Sequence, residues 1–488
     1  MTGINAERDI YKHLMEVMER LEKVEKESRE EHRKDQERIK ELEEKVTEQA
    51  ETIEKLNNEI DRLKHKDDKD SHNSSLPPSG DQRREKKAAN EYNGRSKSGR
   101  KSGGQRGHKG RTLKIENALE KLKRMGITPE YEDIGDLRKP YKERLVLDVA
   151  FKVRAVMKRF HEDEKGHINL PEEYRSEVTY GAQTKSLVTL LYGEGVQSAE
   201  RIVEIIRAVT NEGIELSQGT IFNWLESFYR GAAEEEKIIE GHLLDQRQIG
   251  TDATTVTVNG QQTYVRNFSS KQDVLYVPMG RKNIRALGQI PFLQKYTGIL
   301  AHDHETALYH FGQGHTECNV HLVRYLRANS ENTGHQWSSK MISLLLEMNR
   351  YRKELIQQGL TAIPSATLLR LETRYDNLLD LAKAERKKHP AKFRWATKDE
   401  TSLLNRLRKY KANHLLFLRN FDVPFDNNMS ERDLRKCKNR QKMAGGFRTT
   451  HGKQIFCSLL SVTETCKRRG INLMYAFQLI FSHLPLFA

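Results

Sequence analysis

Three carboxylates in this 488-residue chain stand where an acid is either out of character or unusually well placed. Asp252 lies inside Gln248–Val258, a run that reads as a β-strand, where aspartate is depleted because it favours turns over ladders. Asp303 follows directly on the apolar run Tyr296–His302. Glu431 falls in the first turn of a helix expected over Met429–Arg440 and capped by Asn427 or Asn428. Three converging carboxylates repel one another unless cations hold them, and an oxygen-only donor set selects Mg²⁺ or Mn²⁺. Two such ions about 3.5–4 Å apart can activate a water or a 3′-hydroxyl on one side of a phosphodiester and stabilise the leaving oxygen on the other. Singly, each acid has an ordinary explanation: a turn residue, a helix cap, a favourable first-turn charge. Their order along a suitable fold gives the trio its weight.

That order is present. Gln248–Val258 ends in Asn259-Gly260, a two-residue hairpin signal, Gln261–Phe268 returns, and Asp273–Pro278 reads as a third strand. Arg281–Leu293 is helical in pattern, Tyr296–His302 is a short strand, and Thr316–Arg327 passes from strand into helix. Three antiparallel strands, a helix, a strand and a helix is the order of a ribonuclease-H-like core. The expected fold is therefore multidomain α+β, with this core over 246–335 and its last part, with C-terminal helices including Ile455–Phe481, over 418–488. Residues 336–417 carry a helical pattern throughout and read as an insertion. In such a sheet the first strand and the later one are neighbours, so Asp252 and Asp303 can meet an acid from a helix packed across that edge.

The N-terminal part supplies no chemistry but much organisation. Ile39, Leu42, Val46, Gln49, Ile53, Leu56, Ile60 and Leu63 alternate spacings of three and four, a heptad with β-branched residues at a and Leu at d, which favours a parallel two-stranded coiled coil over residues 1–66. A single solvated helix packing on its own body is the plainer alternative. Ile10, Leu14, Val17, Leu21 and Val24 keep the spacing in another phase, with a slip within Glu25–Arg38. Residues 67–112 read as a disordered basic linker: Gln82–Arg111 holds eleven Lys/Arg against Glu85 and Glu91, a balance of +9. Such a segment can serve as a spacer and also lie on DNA phosphates. Residues 113–180, with alternating Arg144–Val156, predict a small α/β module. Within 181–245, Ser198–Val209 and Ser217–Tyr229 are two helical segments separated by a turn. This resembles a helix-turn-helix whose second helix offers Gln218, Thr220 and Asn223 to base edges; a hairpin that merely packs is the alternative.

The formal charge of +15 suits a polyanionic partner. No apolar run approaches the ~20 residues that cross a bilayer, and the four cysteines make no disulfide framework. The expected setting is cytoplasmic, bacterial and nucleoid-associated, with no membrane partner. Cys318 with His321 offers only two ligands and reads as a buried thiol beside a hydrogen-bonded histidine. His302-Asp303-His304 permits a mononuclear metallohydrolase, a reading that leaves Asp252 and Glu431 idle.

Several segments together resemble transposases of the insertion-sequence-sixty-six family. They are Asn73-Ser74-Ser75-x-Pro77-Pro78-Ser79-x-Asp81, Gly103-Gly104-Gln105-x-Gly107-His108-x-Gly110, Ser217-x-Gly219-Thr220-x-x-Asn223-Trp224, Asp252-x-Thr254, His302-Asp303 with Cys318-x-x-His321, and, most specifically, Asp426-Asn427-Asn428-x-x-Glu431-Arg432-x-x-Arg435. The resemblance implies a DDE recombinase with Asp252, Asp303 and Glu431 as ligands to two Mg²⁺ or Mn²⁺ ions. It implies binding of double-stranded DNA, both the terminal inverted repeats of the element and the target, end cleavage, and joining of the 3′-hydroxyls to target. Arg106, Lys109 and Arg111 of the basic arm and Arg432, Arg435 and Lys438 near the third acid are the expected phosphate contacts, with Arg435 sharing the helix face of Glu431. A homodimer through the coiled coil is expected, and accessory proteins from the same element are candidate partners. Relatives carry a cysteine-based zinc module after the linker; Leu113–Tyr180 has no cysteine, so no zinc is expected there. Two rivals stand beside this reading: a transposase descendant kept as a DNA-binding repressor, and a coiled-coil scaffold that binds RNA.

Overall fold

Asn259 and Gly260 both take left-handed backbone angles, φ 48° and 76°, the pair that a type I′ turn requires. In this computed structural model they join β1 (Gln248–Val258) to β2 (Gln261–Ser269), and β3 (Val274–Met279) follows antiparallel. β4 (Ile299–His302) and β5 (Gly314–Glu317) add on the other side of β1, both parallel, so the five strands lie in the order β3-β2-β1-β4-β5. Val256, Val265, Phe268, Val274 and Leu300 are fully buried in the core beneath them. The described residues are 3–66, 114–134, 138–139, 142–149, 151–391 and 393–487.

Ahead of the sheet come α1 (Gly3–Lys66), α2 (Ile115–Arg124), α3 (Ala182–Gly193), α4 (Ala199–Val209), α5 (Gln218–Gly231) and α6 (Ala233–Leu244). Ser198 and Ser217 cap α4 and α5, accepting from the N–H groups of Arg201 and Thr220 at 3.3 and 3.0 Å. These caps supply acceptors that a helix N-terminus lacks, which is why the two helices begin at the expected residues. Ile202, Ile206, Ile221 and Phe228 are buried between them and their neighbours. Short helices α7 (Ile284–Leu287) and α8 (Pro291–Lys295) fill the expected helical stretch between β3 and β4. It breaks in two because Gly288 follows the first turn and Pro291 opens the second.

After β5 the chain is helical: α9 (Asn319–Thr333), α10 (Gln336–Gln357), α11 (Ser365–Lys388), α12 (Arg394–Lys409), α13 (Lys411–His414), α14 (Leu416–Arg419), α15 (Asn428–Asp433), α16 (Arg435–Ala444), α17 (Thr450–Arg468) and α18 (Leu473–Phe481). The expected single helix over Met429–Arg440 steps at Leu434. Its first half is tied to β2 through Asp433, whereas its second half is drawn away by Arg440, which donates to the Tyr192 hydroxyl and the Gln197 carbonyl at 3.1 Å each. α17 lies on β3, its Ser461 and Thr465 hydroxyls accepting from the N–H groups of Tyr276 and Val274.

Two compact units divide the chain. One comprises the sheet and the described residues within 88–322, 345–371 and 410–488; the other comprises α1, 323–344 and 372–409. In the second, Trp337, Met341, Tyr375, Ala382 and Leu407 are fully buried. α1 is one continuous helix through Glu25–Arg38, and Ile39, Leu42, Val46, Ile53, Leu56, Ile60 and Leu63 of its heptad are all exposed. The strands expected within 113–180 do not form among the described residues. The described residues within 144–156 have no ladder partner, and Val146, Val149 and Val156 stand in solvent. Alternation supplies an apolar face, but a strand also needs an edge to pair with. Among the described residues no helix is long and apolar enough to cross a membrane.

Candidate active site

β1 and β4 pair in parallel with Gly250 opposite Ala301. Two residues beyond that pair come Asp252, still within β1, and Asp303, one residue past the end of β4 and 51 positions later in the chain, near enough for its charge to act on Asp252. Both are half-buried. Burial first, and the Asp303 charge second, push the Asp252 carboxyl up to about 7, against the N–H of Ala253 and the cations of Lys282 and Arg266. Two acids this close, short of donors and offering only oxygens, fit a hard divalent cation, which would remove the repulsion.

The helix bearing Glu431 is bolted to the same strand. Asn427 donates to the Thr251 carbonyl at 2.8 Å, and Asn267, directly opposite Asp252 on β2, donates to the Ser430 carbonyl at 3.1 Å while its own amide oxygen accepts from Asp252 N–H at 3.0 Å. Asp433 completes the clamp, accepting from Ser269 and Arg468 at 2.6 Å each. Gly250 makes the close approach: a Cβ there would lie 2.5 Å from Ser430 Oγ and 2.6 Å from Asn427 Oδ1. Glu431 therefore starts next to Asp252, but its carboxylate is turned to another neighbour. Oε1 lies 3.6 Å from His321 Nδ1, is buried, and takes no hydrogen bond among the described residues. The donor atoms of Cys318, His321 and Glu431 fall within 4.8 Å of one another; those of Asp252, Asp303 and Glu431 do not form such a group. The structure thus brings two of the expected acids together and anchors the third beside them with its head turned aside. Burial pushes the Cys318 thiol up to about 12, so by itself it stays protonated.

The loop after β4 is fixed by residues that the sequence reading passed over. Arg266, wholly buried on β2, donates to both oxygens of Glu305 at 2.6 and 2.7 Å and to Thr251 Oγ1 at 3.0 Å, and Glu305 N–H donates to the Asp303 carbonyl. The signal was available, since Arg266-Asn267 is as uncharacteristic inside a strand as Asp252. The histidines flanking Asp303 are committed elsewhere. His302 donates to the Asp303 carbonyl and shares its other nitrogen with His315 at 3.2 Å; burial holds His302 low and takes His315 down to about 4, so both are neutral. His304, Tyr309 and His414 all donate to the carboxylate of Glu317. That disposes of the mononuclear reading for His302 and His304. A cleft of about 550 Å³ lined by Lys271, Arg352, Phe421 and Asp426 includes none of the three acids.

Arg432, Arg435 and Lys438 are exposed. Because the helix steps at Leu434, Arg435 opens α16 instead of continuing the face of Glu431. Gln218 and Asn223 are exposed on α5, and Thr220 is half-buried with its hydroxyl 2.9 Å from that of Ser217. Phe222, 47% exposed between them, was not anticipated. Arg106, Lys109 and Arg111 lie outside the described residues.

Residues 180–455 match the family described as Transposase IS66 family, and residues 24–114 match a family of unknown function (DUF6444). A 94-residue stretch is 34% identical to an uncharacterized protein, y4jO, of Sinorhizobium fredii (strain NBRC 101917 / NGR234). It covers 19% of this chain and 29% of that relative, so the match spans under a third of the relative's length.

Proposed function

The chain belongs to the IS66 transposase family, and from that premise we propose that it cuts and joins DNA at the edge of β1 and β4 with Asp252, Asp303 and Glu431. The observation that carries this reading is the half-buried Asp252–Asp303 pair, two acids where β1 passes the C-terminal end of β4, close enough for the charge of one to raise the carboxyl of the other. The strand order β3-β2-β1-β4-β5, with one edge parallel and the other antiparallel, is that of a ribonuclease-H-like core, and α10–α12 are its helical insertion. The three acids would hold two divalent cations of the magnesium class, which when bound supply Lewis acidity to a phosphodiester, on the attacking and the leaving oxygen alike.

The chain's own residues do the rest. Arg266 and Glu305 fix the loop that presents Asp303, and Asn267 and Asp433 hold α15, which carries Glu431, against the neighbouring strands. Arg432, Arg435 and Lys438 grip the DNA backbone beside the scissile phosphate. α4 and α5 act as a helix-turn-helix, with Gln218, Thr220 and Asn223 reading the terminal inverted repeats, while Arg106, Lys109 and Arg111 lie on phosphates. The exposed heptad of α1 pairs with that of a second copy, joining two protomers and two element ends.

The experiment is end cleavage and strand transfer on labelled duplex carrying the element's ends. Asp252→Asn should abolish Mg²⁺-dependent cleavage, by about 10³-fold or more for a lost several kcal/mol, while leaving the shifted band intact. Undiminished cleavage would refute the site. Binding without any joined product from the unaltered chain would favour the repressor reading.

A further inference from the structure

Cys318, His321 and Glu431 form a three-donor cluster that a carboxylate-only mechanism does not use. Cys318 and His321 are nearly wholly buried, and Glu431 is half-buried. Their backbone is fixed in advance. Cys318 N–H donates to the His302 carbonyl at 2.8 Å, Asn319 N–H to the Phe425 carbonyl at 3.0 Å, and Asn427 N–H to the Cys318 sulfur at 3.3 Å. The last two bonds seat the start of α9 against the loop leading into α15, so Cys318, which joins β5 to α9, and His321 and Glu431 on two helices converge on a backbone fixed by hydrogen bonds. The third ligand arrives from a distant part of the chain, which is why a Cys-x-x-His spacing alone reads as two donors too few. A buried carboxylate oxygen with no hydrogen bond, 3.6 Å from an imidazole nitrogen, is an orphan that a cation would satisfy.

The donor set decides which cation. A thiolate and an imidazole are poor ligands for Mg²⁺ and good ones for Zn²⁺, which accepts sulfur, nitrogen and oxygen together and often keeps a water in the fourth position. Tetrahedral bonds of about 2.0–2.3 Å set neighbouring ligand atoms roughly 3.3–3.8 Å apart, the range in which the imidazole and carboxylate already stand. We propose that Cys318, His321 and Glu431 form a binding site for a soft divalent cation of the zinc class, and that filling it withdraws Glu431 from Asp252 and Asp303. Cys318 enters as thiolate, releasing its proton to solvent. The second half of the proposal rests on the transposase reading of Glu431; the first half does not.

The test uses the full chain and Co²⁺ as a spectroscopic stand-in for Zn²⁺. One equivalent of Co²⁺ should give thiolate-to-cobalt charge transfer in the near ultraviolet and tetrahedral ligand-field bands, both bleached by Zn²⁺. Cys318→Ala should lose the charge-transfer band and weaken Zn²⁺ binding, read by competition with a chromophoric chelator, by at least about 100-fold, more than the 10–100-fold cost of losing an outer partner. A Co²⁺ spectrum of the unaltered chain without a thiolate band would overturn the site without recourse to any variant. So would a band that survives in Cys318→Ala, because it would place the thiolate at Cys437, Cys457 or Cys466. Stoichiometric Zn²⁺ should also suppress Mg²⁺-dependent end cleavage at least tenfold, reversibly on chelation. If the cobalt signature appears but the unaltered chain never cleaves, the transposase reading fails and the cation site stands. If the signature appears and cleavage is indifferent to Zn²⁺, the withdrawal of Glu431 is overturned.

Discussion

Glu400 in the helical unit is taken wholly out of water and Asp252 in the sheet unit partly so, and the protein surrounds them differently. Glu400 is fully buried and matched by cations and donors: the Trp337 indole and His335 Nδ1 each reach Oε1 at 2.7 Å, while Oε2 takes no hydrogen bond among the described residues but has Arg386 Nε 3.2 Å away as an ion-pair partner. Burial works against a charged His335 ring, but Glu400 and the His389 carbonyl more than offset it, so its pKa is raised. Glu317 in the sheet unit is filled likewise by His304, Tyr309 and His414. Asp252 has the N–H of Ala253 and a like charge for a neighbour, and Glu431 keeps a bare oxygen. An acid matched by indole, imidazole and guanidinium partners holds a fold together; an acid whose nearest charge is another acid does not.

The comparison can be broken first where the effect is largest. Glu400→Ala leaves an indole, an imidazole and a guanidinium without their acceptor, so it should cost the helical unit about 3–5 kcal/mol, read as a lower urea midpoint. A loss under 1 kcal/mol would mean that the filled acid is no keystone. Next comes the close approach at β1. Gly250→Ala drives a methyl into Ser430 and Asn427 and should cost about 1–3 kcal/mol. End cleavage should fall with it, because α15 and Glu431 must back away from Asp252; unchanged cleavage would show that their contact does not set the geometry.

Much of this contrast was legible in the sequence, and the exceptions have physical causes. β1, the Asn259-Gly260 turn and the Ser217 cap could be located because each depends on local chemistry: alternation, left-handed angles, a hydroxyl at a helix start. Asp252 stood out as a charge inside a strand. Arg266 and Asn267 violate the same rule on the neighbouring strand, yet their roles depend on Glu305 and Ser430, partners that only the folded sheet supplies. The approach of Glu431 to Cys318 and His321 joins residues over a hundred positions apart, which no local spacing encodes. The described residues within 144–156 failed the other way, having the pattern of a strand without an edge to join.

A smaller effect sharpens the contrast through pH. Asp252 at about 7 in the folded chain lies above its unfolded value of about 3.9. Between these values the folded state holds the extra proton, so this group's contribution to stability is greatest at the acid end and declines as pH rises from about 4 to about 7. His335, also raised, contributes stability below about 6.5 that is lost as pH climbs through its folded pKa. Both slopes point the same way, but only one answers to a cation. Mg²⁺ should raise the melting temperature more at about pH 8 than at about pH 5.5, by on the order of 2–4 °C, and Asp252→Asn should remove the difference. A Mg²⁺ shift independent of pH would separate the ion from the Asp252 pair.

The smallest expected effect tests whether the exposed cations beside the acids are partners of DNA or only a solvated helix face. Arg435 opens α16 just after the step at Leu434, which frees it from the face of Glu431 and leaves it exposed. A side chain that neutralises one phosphate releases about 0.9 of a condensed counterion, so Arg435→Ala should reduce the slope of log affinity against log salt by about 1, equally for end and unrelated sequences. Asn223→Ala, on α5, should instead leave the slope alone and narrow the preference for ends, because a base-edge contact carries sequence and not charge. An unchanged slope in Arg435→Ala would place that guanidinium in solvent, and the grip on the backbone would then have to come from residues such as Arg432 and Lys438.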